Sequence, residues 1–421
     1  MKENAEQTYK MNVENMKGFS YDMGPARPPS EGAARSLLIR FTRRCPWNRC
    51  LFCAGRRGRI GMKFEYKPVD EIKNDIDIIK GIYDEILAAS HKLGYGGQVN
   101  NNVLRAILAG NPDIYGNSVD RKELEERYQA LMHIGNWIDS GERTMFIQDS
   151  NSIVMRTHEL AEAIRYLKKT FPKIERITSY ARAKTISKKS QEEMNELHDA
   201  GLSRVHIGLE TGADEVLEYQ EKGVTAQEQI DAGRKTIEAG IELSEYVMPG
   251  LGGRKWSKVH AIETARVLNE IGKPDFIRLR TLKIREGTPL YDEYEAGNFE
   301  LPTEDEMVDE MELFIQNLTC TSYLVSDHID NLLFEVEGHL PEDKEKILKV
   351  IADYKALPKK EKLSFKLRKY TGHYRSYGNF DSEIDSIVAD AWRSIESDAP
   401  DAEEKVEAAI LRVFNYQNFR T

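Results

Sequence analysis

The sequence predicts an α/β fold: an open, partial barrel of six β/α units followed by a helical C-terminal extension. Three observations predict it. Six short apolar runs between residues 36 and 282 alternate with helical periodicity, and alternation implies parallel pairing because each return needs a crossover helix. Six units are fewer than the eight that close a complete barrel. Beyond residue 301 the strand pattern stops and helical spacing takes over.

Residues 1–35 read as an irregular leader, since Pro25, Pro28 and Pro29 oppose helix. The barrel is expected over 36–300, with a helical insertion near 91–141, and the helical region over 301–421. Ser36-Leu37-Leu38-Ile39-Arg40-Phe41-Thr42 forms the first strand and leads directly into a cysteine-rich loop. Pro68 opens a long helix to about Leu93, with Ile72, Ile76, Ile79 and Ile82 at helical spacing. A glycine- and asparagine-rich break over 94–102 introduces two helical segments that end near Gly141. Strands are then expected at 144–148, 176–180, 204–209, 242–248 and 276–282, with helices at 156–170, 190–200, 226–239 and 258–271 between them. Further helices are expected at 304–318, 322–338 (capped by Ser322), 342–357 and as a pair after Asp381. The basic stretch Lys359, Lys360, Lys362, Lys366, Arg368 and Lys369 reads as a solvated surface.

The composition, 40% hydrophobic and 31% charged, is that of a soluble globular protein. A polar N-terminal segment and the lack of a membrane-length apolar run point to the cytoplasm, with no membrane partner. A net charge of −10 argues against a general nucleic-acid binder. Yet residues 40–59 carry seven arginines (Arg40, Arg43, Arg44, Arg49, Arg56, Arg57, Arg59) and no acid. This run is either a solvated loop or a docking surface for an acidic electron donor such as flavodoxin or ferredoxin.

Within it lie Cys45, Cys50 and Cys53; the chain has only one other cysteine, Cys320. A structural zinc site would want a fourth Cys or His nearby, and none follows before His91. Three thiolates instead suit an iron–sulfur cluster with one iron left open.

Together with the six β/α units, Ile207-Gly208-Leu209-Glu210-Thr211-Gly212 and Gly287-Thr288-Pro289-Leu290 resemble the radical S-adenosylmethionine (SAM) superfamily. The resemblance is to its coproporphyrinogen-oxidase-like and Elp3-like branch and covers roughly residues 30–295. It implies a TIM-type radical SAM barrel and an oxygen-sensitive [4Fe–4S] cluster on Cys45, Cys50 and Cys53. It also implies reductive cleavage of SAM to a 5′-deoxyadenosyl radical that takes hydrogen from a substrate. The spacing here is Cys-x4-Cys-x2-Cys, one residue longer than the commonest form.

Strand alternation turns His206, Gly208 and Glu210 into the barrel and Val205, Ile207 and Leu209 toward the helices. The resemblance implies that Glu210 meets the SAM amino-acid moiety, helix capping being the alternative reading. Phe52 would lie near the adenine or simply pack the loop. Gln148, Asp149 and Ser150 stand where the family carries a Gly-Gly-Glu-like motif for the SAM amine, without its glycines. Ser179 and Arg182 would reach ribose or carboxylate, unless Arg182 pairs with a surface acid. Met248 and Gly250 belong to the strand-five end expected at the cofactor, with the 250–253 loop offering backbone groups to adenine.

Candidate catalytic residues are Tyr246, Cys320 as a hydrogen-atom donor, and His328, although a lone cysteine or histidine is more often structural. Arg278 and Arg280 share one face of strand six: inward they would bind an anionic small-molecule substrate, outward they would pair with helix carboxylates. The leading expectation is therefore a radical SAM oxidoreductase or rearrangement catalyst. The alternatives are a non-catalytic iron–sulfur electron carrier or sensor, a zinc-stabilised module, and a radical SAM tRNA-modifying enzyme. With one cysteine left over, a second cysteine-ligated cluster is excluded, and a leader of about 35 residues is too short for a cobalamin-binding domain.

Overall fold

The computed structural model describes residues 8–24, 35–53, 63–376 and 378–416. The three leader prolines lie outside them. One sheet contains β1 (Ser36–Arg40), β2 (Thr144–Gln148), β3 (Arg176–Ala181), β4 (Leu202–Glu210), β5 (Glu242–Val247), β6 (Phe276–Leu279), β7 (Ser322–Val325) and β8 (Gly338–Leu340). The strands stand side by side in chain order. β1 to β7 pair in parallel, and β8 runs antiparallel to β7. The first six are the six read from the sequence, separated as expected by helices Thr157–Thr170, Gln191–Ala200, Ala226–Glu238 and Gly253–Ile271. The insertion between β1 and β2 is helical, carrying Val69–Lys92, Asn101–Gly110 and Arg121–Asp139.

Two expectations beyond residue 301 are corrected. The helix expected over 322–338 does not form; the two ends of that span are β7 and β8. Without β7, strand β6 would leave its edge unpaired, and Leu324 joins the helix-covered core while Tyr323 and Val325 take the other face. A four-residue run is too short for its period to be distinguished. The basic stretch, expected as a solvated surface, lies on the helix Lys359–Arg375; Lys359, Lys360 and Arg368 are exposed, and Lys366 alone of the stretch is buried. Its Lys366 is fully buried, with Nζ 3.1 Å from Asp305 and 2.9 Å from Glu407.

Alternation divides the two faces of the sheet. Ile39, Ile147, Val205, Ile207, Leu243 and Ile277 pack with the helices into one large apolar core. On the concave face Phe146 meets Tyr180 (ring centroids 5.1 Å), and Tyr180, His206 and Tyr246 lie within 5.6–6.3 Å of one another. The leader is tied to this framework. Gln148 accepts from the Gly24 amide at 2.6 Å and donates to its carbonyl at 2.7 Å.

The C-terminal helices are fastened to the sheet by buried polar bonds. Tyr370 donates to Glu304 (2.6 Å), Tyr374 donates to Asp330 (3.0 Å), and Lys366 joins helices Glu304–Asn317 and Ala402–Tyr416. No helix among the described residues is long and apolar enough to cross a membrane. Lys366→Ala would strand two carboxylates against a buried cavity. It is expected to cost about 3 kcal/mol in urea denaturation, and a loss below about 1 kcal/mol would contradict the docking role of this lysine.

Candidate metal and cofactor site

The cysteine loop leaves the carboxyl end of β1 and is held from two sides. Leu51 donates its amide to the Gln220 carbonyl (3.1 Å), the Leu290 amide donates to the Leu51 carbonyl (3.1 Å), and Trp47 Nε1 donates to the Glu221 carbonyl (2.6 Å). Leu290 sits in the first turn of helix Pro289–Glu295, which Thr288 caps and Pro289 opens. The Gly-Thr-Pro-Leu motif thus acts mechanically, presenting one amide to the cysteine loop. Trp47 lies against Gly223, whose φ is +67° and where a Cβ would come 2.2 Å from the indole. Leu51 and Phe52 rest on a second apolar cluster that includes Ala213, Val216, Met248, Leu251 and Leu282.

Cys45, Cys50 and Cys53 are in no disulfide, and each is partly buried. Among the described residues no three His, Cys, Asp or Glu side chains gather as for one metal ion. Three thiols carried on one loop supply three of the four ligands that a [4Fe–4S] cubane takes, and in that number and type the donor set fits a cluster. Burial pushes the Cys50 thiol up to about 11; Lys222 opposes this most, Cys53 adds to it, and Arg182 also opposes it. Both cations are fixed. Lys222 Nζ lies 3.2 Å from Glu210 Oε1 and over the Phe52 ring, and Arg182 donates to the Lys222 carbonyl at 2.5 Å while covering the Trp47 ring.

Glu210 closes β4 with φ +65°, where the register against β5 slips. Its carboxylate folds over Gly208: a Cβ there would stand 2.4 Å from Oε1. Arg44, Asn48, Asp149 and Glu221 also have positive φ at this edge, a concentration of backbone strain of the kind found at functional sites.

The other expected residues divide. Arg182, Glu210, Phe52 and the cysteines converge. Asp149 accepts from the Arg44 and Ser150 amides, both at 2.8 Å, and so anchors the start of the cysteine loop; the Ser150 hydroxyl turns back onto Asp149. Gln148 faces Gly24. Ser179 is buried on the helix side, in register with Ile147 and Val205. Met248 joins the second apolar cluster, and its amide donates to the Glu210 carbonyl (2.9 Å). Tyr246 lines the concave face. Cys320 precedes β7 at the amino-terminal edge of the sheet, the end opposite the cysteine loop, and burial lifts its thiol to about 11. His328 follows β7 at the carboxyl end, its Nδ1 accepting from the Asp330 amide at 3.2 Å.

The acid-free arginine run is not a run of free charge. Arg40 and Arg43 pair with Asp22, Arg43 also with Glu71, and Arg44 with Glu65. The acids come from before and after the run, which a local count misses. Arg56, Arg57 and Arg59 lie outside the described residues.

Sequence reasoning missed Lys222, Trp47, His260 and Glu310. The last two stand behind the 248–250 turn. Gly250 donates its amide to Glu310 (2.6 Å), and His260 Nε2 donates to the Met248 carbonyl (3.1 Å) while Nδ1 accepts from Thr211 (2.7 Å). Burial lowers His260 to about 4, keeping it neutral in that tautomer, and raises Glu310 to about 7. A legible signal existed for Glu310: it is an acid inside the apolar stripe of Met307, Met311 and Phe314.

A thiol loop at the carboxyl edge of a parallel sheet, backed by Glu210 and two fixed cations, agrees with what comparison with known proteins finds. The model of the radical SAM superfamily matches residues 39–265, more than half of the chain. The chain belongs to the radical SAM superfamily. Membership brings with it a [4Fe–4S] cluster and SAM as cofactors. Proteins named tRNA uridine(34) acetyltransferase from Methanocaldococcus jannaschii and Methanocaldococcus infernus are 27% identical over 119 residues and 25% identical over 120. Each alignment covers 28% of this chain and 22% of the relative, so the chain spans about a fifth of the length of these curated relatives. Among solved structures, methylornithine synthase (PylB) is 14% identical with a TM-score of 0.38, covering 72% of this chain and 69% of its own. The archaeal Methanocaldococcus infernus Elp3 is 18% identical with a TM-score of 0.34, covering 40% and 44%.

Two measurements check this radical SAM site. Gly223→Ala should destabilise the protein by about 2 kcal/mol through left-handed backbone and indole overlap, and lower the iron taken up on reconstitution; unchanged stability and iron content would refute the wedge. Glu310 holds its proton more tightly when folded than its ordinary value of 4.5 allows. Stability from the protonated acid is therefore full below that value and is lost as pH rises through about 7. Wild type should match Glu310→Gln near pH 5 and fall behind it by pH 8, by at most about 3 kcal/mol. A pH-independent difference would contradict the buried acid.

Proposed function

We propose that this chain is a radical SAM enzyme that cleaves SAM reductively and takes hydrogen from a small molecule held on the concave face of the sheet. The observation that carries the reading is the meeting of Glu210, Lys222 and Arg182 beside Cys50 at the carboxyl edge. When bound, the cluster and SAM supply the chemistry: one electron enters the sulfonium and a carbon–sulfur bond breaks to give methionine and a 5′-deoxyadenosyl radical. The protein supplies everything around that event. Cys45, Cys50 and Cys53 would hold three irons. Glu210 would receive the SAM ammonium, and Lys222 and Arg182 would face its carboxylate and offset the negative charge of the thiolates. The 248–250 turn, held by Glu310 and His260, would offer its backbone to the adenine, and the apolar cluster beneath Phe52 would keep water away. An acidic flavodoxin or ferredoxin would supply the electron near Arg49. Oxidoreduction or rearrangement is the expected outcome for the substrate.

A second reading, modification of tRNA, is favoured by the names of the two Methanocaldococcus relatives. The expectation that nucleic acid is no partner therefore has no support from those relatives.

Anaerobic reconstitution should give brown protein with about four irons per chain and, with dithionite and SAM, 5′-deoxyadenosine. Cys50→Ala should lose the iron and Cys320→Ala should keep it. Normal iron content in Cys50→Ala, or a reconstituted protein that leaves SAM intact, would sink the reading.

A further inference from the structure

Among the described residues, Arg280 is a cation of the concave face that no ion pair neutralises. Arg278 donates to Asp327 (3.0 Å), Arg285 stands 3.4 Å from Asp330, Lys283 pairs with Glu304, and Lys222 lies 3.2 Å from Glu210. Asp327, Asp330, Glu304 and Glu210 are thus each matched to another base. The Arg280 guanidinium has no hydrogen bond and no carboxylate within ion-pairing reach among the described residues, although Asp330, Glu210, Tyr180 and Tyr246 all lie close enough to feel its charge. It is nonetheless an exposed side chain. A guanidinium surrounded by groups from β3, β4, β5 and the segment after β7, yet accessible, is exposed to the hollow of the sheet. Its backbone is fixed there, because its amide donates to the Val247 carbonyl at 2.9 Å.

A second donor stands beside it. His328 is close enough for Arg280 to depress its basicity, and with burial this holds the ring neutral. Nδ1 accepts from the Asp330 amide (3.2 Å), with Asp330 Oδ2 3.4 Å from the same nitrogen, and the hydrogen bond from the amide assigns the proton of the neutral ring to Nε2. The adjoining wall is aromatic, built from Phe146, Tyr180, His206 and Tyr246.

We infer that Arg280, with His328 Nε2–H, forms an anchor for a carboxylate or phosphate group of a substrate whose planar or apolar body lies along Tyr180 and Tyr246. This deepens the proposed function, on which it rests for the word substrate. The site joins the guanidinium fork, carried on a fixed backbone, to a low-polarity wall, the arrangement that selects an anion with a ring attached over either part alone.

Calorimetric titration of the anaerobically reconstituted protein with benzoate, phenyl phosphate and the neutral analogue benzamide tests it. Wild type is expected to bind at least one of the two anions at millimolar concentration and benzamide at least about tenfold more weakly. Which anion binds tells carboxylate from phosphate. Arg280→Gln should weaken that binding by about tenfold or more, and Arg280→Lys, which keeps the charge and loses the fork, should fall between. Absence of heat with both anions, or equal affinity in wild type and both variants, would overturn the anchor. The readout is independent of turnover: a protein that binds benzoate through Arg280 but leaves SAM intact refutes the proposed reaction and keeps the anchor, and the reverse result refutes the anchor alone.

Discussion

The site depends on how one short loop is fastened. The stretch from Cys45 to Cys53, with its three thiols, forms no helix or strand of its own, so its shape must be imposed from outside. Here the imposition comes from the turn that ends the short helix Asp214–Tyr219 after β4, whose carbonyls at Gln220 and Glu221 take the Leu51 amide and the Trp47 indole, and from the Leu290 amide beyond β6. Because both partners hang from strands of the same sheet, the thiols inherit the rigidity of the barrel rather than that of a loop. The same turn delivers Lys222 to Glu210, so the backbone that shapes the thiol loop also sets the charge around it.

Behind this edge lies a second constraint. Thr211, His260, Met248, Gly250 and Glu310 form a chain of bonds that links the ends of β4 and β5 to helix Glu304–Asn317. The helices beyond the barrel are thereby part of the cofactor edge. They also close the far side of the hollow, through Tyr374 on Asp330 and Tyr370 on Glu304. A buried acid and a neutral imidazole are costly to place in a core, and their position behind a turn rather than in the hollow argues for support rather than reaction.

What the sequence disclosed followed from physical periodicity. Alternation along Val205 to Glu210 is strict, so the inward set was readable, and the six strands were readable because each is flanked by a helix of clear 3.6-residue period. The three cysteines were readable because their spacing is meaningful on its own. Lys222 was not, since a lysine in a polar turn has no period and acquires its role only when β4 brings Glu210 to it. The pairing of Arg40, Arg43 and Arg44 was not readable for the opposite reason: their counter-ions, Asp22, Glu65 and Glu71, are distant in local sequence and adjacent in space. β7 was hidden by shortness, and Ser322 looked like a cap because serine suits both positions. Arg278 and Arg280 shared a face as alternation required, but only the fold could show that one is matched and the other is not.

The anchoring of Trp47 and Leu51 on either side of Cys50 bears on the length of the loop. Slack in the segment is confined to Pro46, Asn48 and Arg49, and Asn48 takes it up in a left-handed turn that asparagine tolerates. A residue gained or lost between Cys45 and Cys50 would fall on this stretch, ahead of the two backbone bonds that hold Leu51 between the second and third thiols. The longer spacing thus coincides with the one joint of the loop that the bonds of Leu51 do not clamp.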